Sequence, residues 1–182
     1  MKLFPKALMF AFLSLFLMTS CSDDDDDDSP SSKTSVNGES SVSLTKGVLE
    51  SSGKNSGNNS YAWVIALFSE GISYNAGTEE YSGQGDILSL GLITNNPNGL
   101  QDGDYSPSTQ GGAFTFVIAL LYKNVSPQTG QSDYKTNLTS GKVSITGSND
   151  NDNEVTIKYN LQNATSDTTI SGTFTGILTK AD

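Results

Sequence analysis

The chain is expected to fold as one all-β domain, an antiparallel β-sandwich of about eight to ten strands, with a lipocalin-like closed barrel as the alternative. Three observations carry this expectation. Ser, Thr, Asn and Gly make up 78 of the 182 residues, a bias toward turns and solvent-facing strand positions and away from helix. From residue 36 onward apolar residues recur with period two or in short runs, without a sustained period of 3.6. Polar segments rich in Asn, Asp, Gly and Ser then break these runs as hairpin turns do. A meander of this kind serves a sandwich and a barrel alike.

Residues 1–20 precede that domain. Lys2 and Lys6 form a positive start, and Ala7 to Met18 is an apolar stretch of 12 residues. As a helix it would span ~18 Å, short of the ~30 Å hydrocarbon core, so it is a secretory signal rather than a membrane span. Thr19 and Ser20 lead to Cys21, the single cysteine, which therefore has no disulfide partner. The spacing LMTSC resembles a bacterial lipobox, although Met18 stands where Leu or Val is commoner. That resemblance implies that Cys21 begins the mature chain and carries a lipid, which makes the membrane a partner.

Residues 21–35 are expected to be an acylated, acidic tether. Cys21 is followed by Ser22 and the run Asp23, Asp24, Asp25, Asp26, Asp27 and Asp28, with Pro30 beyond. Like charges and low hydrophobicity leave such a segment solvated, reaching ~45 Å at most. A cysteine followed by Ser and an acidic run resembles the export signal of small Bacteroidota surface lipoproteins. The resemblance implies an outer-membrane protein facing the cell exterior.

The single domain is expected over 36–182. Val42 and Leu44 alternate with Ser and Thr in a first strand near 40–50, and SSGKNSGNNS (51–60) reads as a loop. YAWVIALF (Tyr61 to Phe68) is apolar on both faces, as a central strand is. Trp63 belongs to its core, and Tyr61 shares its face. In DILSLGLIT, Leu88, Leu90 and Leu92 share a face. FTFVIALLY is expected to place Phe114, Phe116, Ile118, Leu120 and Tyr122 on one face, across the core from it. GKVSITG (141–147), EVTIKYNL (154–161) and TTISGTFTGIL (168–178) form a β-meander burying Val143, Ile145, Val155, Ile157, Tyr159, Leu161, Ile170, Phe174 and Leu178. This end, with SGKVSI at 140–145 and ISGTFTGIL at 170–178, is similar to the carboxyl-terminal pattern of the same lipoproteins. The similarity implies an all-β extracellular domain and assigns no biochemistry.

Charge and missing residue types exclude most functions. Ten cations, all lysine, face 20 acids, and histidine is absent. Without Lys2 and Lys6 the chain carries 8 lysines against 20 acids, a net of −12, which repels a phosphate backbone and excludes nucleic acid. No imidazole is present for a triad or a metal, and no guanidinium for an anion clamp. The chain is therefore expected not to be an enzyme and to use no cofactor. Glu79 with Glu80 would point to opposite faces, and Asp102 with Asp104 sits in a turn, so a hydrolase would need carboxylates from separated segments. SNDNDNE (148–154) alternates Asp150, Asp152 and Glu154 but lacks the EF-hand glycine and distant bidentate Glu, so it reads as a hairpin turn and no metal is assigned.

Aromatics in polar loops point to binding. Tyr74, Tyr81 and Tyr105 fall in Gly- and Ser-rich segments, and EGISYNAGTEEYSGQG (70–85) is long for a connection. These three tyrosines are the expected contacts of a lipid-anchored surface binding module whose ligand is a glycan or a protein. A carboxylate-only secreted hydrolase and a structural envelope lipoprotein are the alternatives. Asp167-Thr168-Thr169 resembles a short O-glycosylation motif of this bacterial group, which implies Thr168 as a modified residue.

Overall fold

The computed structural model describes residues 33–55, 59–148 and 154–181. Cys21, Ser22, Asp23 to Asp28, and Asp150 and Asp152 of the acidic turn lie outside the described residues. The described residues form thirteen strands and no helix. They are β1 (Lys33–Val36), β2 (Glu39–Ser43), β3 (Lys46–Asn55), β4 (Ser60–Phe68), β5 (Ile72–Asn75), β6 (Glu80–Gly83) and β7 (Gly85–Thr94). The chain continues through β8 (Gly103–Pro107), β9 (Thr115–Val125), β10 (Tyr134–Asn137), β11 (Ser140–Thr146), β12 (Glu154–Gln162) and β13 (Thr169–Lys180).

The fold is all-β, and the expected sandwich gives way to its alternative, a closed barrel. Pairing runs β3–β4–β7–β9–β8–β11–β12–β13, and β13 returns to β3. Eight strands therefore close on themselves, which removes the open edges that a sandwich must protect. The ring is not purely antiparallel: β13 pairs β3 in parallel, as β8 does β9. The apolar strands expected on opposite sides of the core, β7 and β9, are instead neighbours in one sheet.

Alternation places one side chain in two inside the ring. Leu49, Trp63, Ile65, Leu67, Leu88, Leu90, Leu92, Phe116, Leu121, Val143, Ile145, Val155 and Ile157 join one buried cluster with Tyr159, Leu161, Ile170, Phe174 and Leu178. An eight-stranded barrel is just wide enough for side chains to fill, and these do. β1 begins at Lys33, inside the segment expected to be tether, because Thr34 to Val36 pair with β13. The β1–β2 hairpin turns at Asn37-Gly38, both at positive φ (53° and 84°), and brings Val42 and Leu44 to the same core.

Two local expectations are corrected. β3 runs through Ser51 to Asn55, residues read as loop, because β4 supplies hydrogen-bonding partners as far as Ser60. In β9 the expected face holds only to Phe116. Leu92 pairs with Phe116 and Gly91 with Ile118, so Val117 is an extra residue. That bulge reverses the alternation. Ala119 and Leu121 then point inward, while Val117 and Ile118 are 44% and 47% exposed.

Candidate functional site

The segment 70–85 is a hairpin laid against the outside of the barrel, not an irregular loop. Ile72 N–H donates to Ser69 O and Gln84 N–H to Gly71 O, which turns the chain off β4 and back into β7. At its base Gly83 has φ 95°, and a Cβ there would overlap the Gly71 carbonyl, so only glycine fits. At the tip Asn75 Oδ1 accepts from Gly77 N–H at 2.9 Å, and Glu79 takes φ 54°. Asn and a positive φ are turn chemistry.

Tyr74 and Tyr81 are cross-strand partners in this hairpin, and their ring centroids lie 4.8 Å apart. They face the barrel. Tyr81 meets Phe68 edge-on at 5.8 Å, and both tyrosines pack on a second apolar cluster of Val48, Phe68, Ile72 and Val125. The Tyr81 hydroxyl donates to Glu50 Oε1 at 2.8 Å. Burial, with the Glu50 carboxylate beside it, pushes this phenol far above its ordinary range.

A groove of about 550 Å³ runs beside the hairpin, lined by Asn75, Glu80, Tyr81 and Ser82 on one wall and Pro127 and Gln128 on the other. On the hairpin's other flank Tyr74 borders a smaller trough of about 290 Å³ whose lining includes Val48, Phe68 and Ile177. The residues 126–131 that face the hairpin form a turn, closed by the Ser126–Gln131 bridge and by Gly130 N–H donating to Ser126 O at 2.8 Å. Sequence reasoning missed this wall. Its signal was the turn-forming run SPQTGQ, which contains no ionisable or aromatic side chain.

The other expected site residues lie elsewhere. Tyr105 is fully buried in the barrel core, with its ring 5.6 Å from that of Phe114 and its hydroxyl donating to Gln101 O at 2.7 Å. Burial pushes its pKa to about 12. It is a core residue and is not brought together with Tyr74 and Tyr81. Trp63 is buried in the same core, and its Nε1 donates to Asn96 O at 3.3 Å. Thr168 is 6% exposed, and its hydroxyl meets Tyr134 Oη at 3.1 Å and Ser166 Oγ at 3.0 Å, so the folded chain does not present it for modification.

The carboxylates have structural partners. Asp102 accepts from Ser148 Oγ at 2.6 Å, Ser148 N–H at 2.8 Å and Gly147 N–H at 3.2 Å. These bonds, the Ser148 hydroxyl foremost, hold its carboxyl below the usual range. Asp104 is lowered by Lys142 Nζ at 2.7 Å and by Ser144 Oγ at 2.6 Å. Both pin β8 and the loop before it to β11 and the turn that follows. Glu79 and Glu80 are exposed at the hairpin tip. Among the described residues no three acidic or thiol groups converge on a point where a metal would sit. Comparison of the chain with protein-family models, with curated proteins and with solved structures finds no match.

Proposed function

We propose that this chain is a lipid-anchored cell-surface binding module that holds a glycan or protein ligand on the outside of its barrel, between the β5–β6 hairpin and the 126–131 turn. The observation that carries the reading is the groove itself. Its volume of about 550 Å³ lies in the ~300–1,000 Å³ range of ligand sites, and it mixes an aromatic ring and a proline with amides and a carboxylate. Among the described residues the barrel interior is occupied by large buried side chains. The anchor rests on Cys21 and the surface location on Ser22 with Asp23 to Asp28, by resemblance to surface lipoproteins.

Ser82→Trp fills the groove from an exposed position of β6 and is expected to abolish ligand capture with thermal stability unchanged. Capture surviving in that variant sinks the site. Cys21→Ser is expected to lose incorporation of labelled palmitate and to leave the membrane fraction. Label retained in Cys21→Ser sinks the anchor.

A further inference from the structure

We infer that the occupant of this site is an uncharged oligosaccharide, bound as a chain across two grooves that share the 126–131 turn; the inference rests on the binding reading above. The second groove, about 720 Å³, is lined by Gln84, Asn124, Ser126, Gln131 and Asp133, among others. Its lining lies beside that of the first along the chain: Glu80, Tyr81 and Ser82 wall one groove and Gln84 the other, with Gly83 at φ 95° bending the chain between them. Opposite this segment, Pro127 and Gln128 face the first groove, while Ser126 and Thr129 to Asp133 face the second. Four residue steps separate Glu80 from Gln84, at most ~13 Å of chain at ~3.3 Å per residue, and the two grooves together have room for more than one sugar ring.

The lining selects the ligand class. Neither groove contains a lysine, and the chain has no arginine or histidine to supply a cation instead. Glu80 and Asp133 would repel uronic acids, sulfates and phosphates. Amides both donate and accept, and carboxylates accept, which matches hydroxyl groups that do both. Tyr81 and Pro127 add an apolar patch for a sugar's C–H face. An extended peptide takes its specificity from pockets for alternate side chains, and the second groove, built from polar side chains, offers none.

One part of the second groove is already fixed. Asn124 sits at φ 51°. Its backbone N–H donates to Asp86 Oδ1 at 2.8 Å, and its Nδ2 donates to Asp133 Oδ2 at 2.7 Å. Those bonds leave Oδ1 of both Asn124 and Asp133 open to hydroxyl donors, in an orientation that need not be assembled on binding.

The test uses the full chain in detergent, printed against neutral, uronate and sulfated oligosaccharides of one to six units and against a peptide library. Neutral oligosaccharides are expected to bind, with affinity rising at least tenfold from two units to four. Gln131→Trp, which obstructs the second groove, is expected to erase that rise. Ser82→Trp is expected to remove binding altogether. Preference for anionic glycans, or a length gain that survives Gln131→Trp, overturns the inference. Peptides captured in place of glycans, and lost in Ser82→Trp, overturn it while sparing the binding reading. Ligands that Ser82→Trp still holds overturn both.

Discussion

Replacing Tyr81 tests whether the hairpin is a separately stabilised unit on a rigid barrel. Its hydroxyl bonds the Glu50 carboxylate at 2.8 Å, and its ring meets Phe68 at 5.8 Å and Tyr74 at 4.8 Å. A hydrogen bond to a charged acceptor contributes ~1.5–3 kcal/mol when buried and ~1 kcal/mol at a half-exposed site such as this. Each ring pair adds ~0.5 kcal/mol at the low end of its range, and half-burial of the ring ~1 kcal/mol more. Tyr81→Phe should therefore cost ~1 kcal/mol and Tyr81→Ala ~3 kcal/mol, about fivefold and a hundredfold in the opening equilibrium. The assay is native-state amide hydrogen exchange. The amides of β5 and β6 should exchange faster by those factors, while those of β11 and β12, on other strands of the barrel, keep their protection. Uniform acceleration in every strand would show that hairpin and barrel unfold as one. Unchanged hairpin exchange in Tyr81→Ala would show that these contacts do not hold it.

Gly141→Ala should destabilise the barrel by ~3 kcal/mol or more, because the residue sits at φ 113° and a Cβ would overlap Asn160 O and lie 2.8 Å from Leu161 Cα, both backbone atoms. A urea midpoint that corresponds to a loss below ~1 kcal/mol would contradict the observed β11–β12 register. Acid should weaken the β8–β11 seam. The Asp102 and Asp104 carboxyls are held below their ordinary values, so their contribution is present above the unfolded carboxylate pKa of ~3.9 and is lost as pH falls through the lowered folded values. Asp102→Asn with Asp104→Asn should flatten the fall of the urea midpoint as pH drops below about 4, and an equally steep fall in the double variant would show that these two groups do not cause it.

What the sequence revealed depended on whether its pattern was local. The β11–β13 meander was legible down to single side chains, because each strand alternates cleanly and its neighbour in sequence is its neighbour in the sheet. Barrel closure was not. The β13–β3 seam joins Leu178 to Gly47 and the β8–β9 seam joins Ser106 to Thr115, and neither pairing leaves a periodic trace in its own segment. Tyr105 looked like a loop residue because Asp, Gly, Ser and Pro surround it. Pairing with Val143 makes its segment a strand and turns the ring inward. The hairpin at 70–85 was found from its tyrosines, but the direction of the rings was not, since the surface they cover belongs to strands distant in sequence.

The doubly apolar strands have a cause that also explains where recognition can sit. Leu67 is inside the barrel and Phe68 outside it, under the hairpin. Leu88 and Ile87 divide in the same way, as do Leu121 and Tyr122 and, on β3, Leu49 and Val48. A barrel strand with one wet face would alternate apolar with polar residues. Where the hairpin covers these strands their outer residues are apolar too, so part of the run read as a sandwich core records a second, external core. The two clusters share no buried side chain, although they share strands. Side chains at the hairpin tip and in the 126–131 turn therefore vary without disturbing the packed interior. The barrel would then serve as a rigid mount for the binding surface proposed above, built from additions to its outer wall.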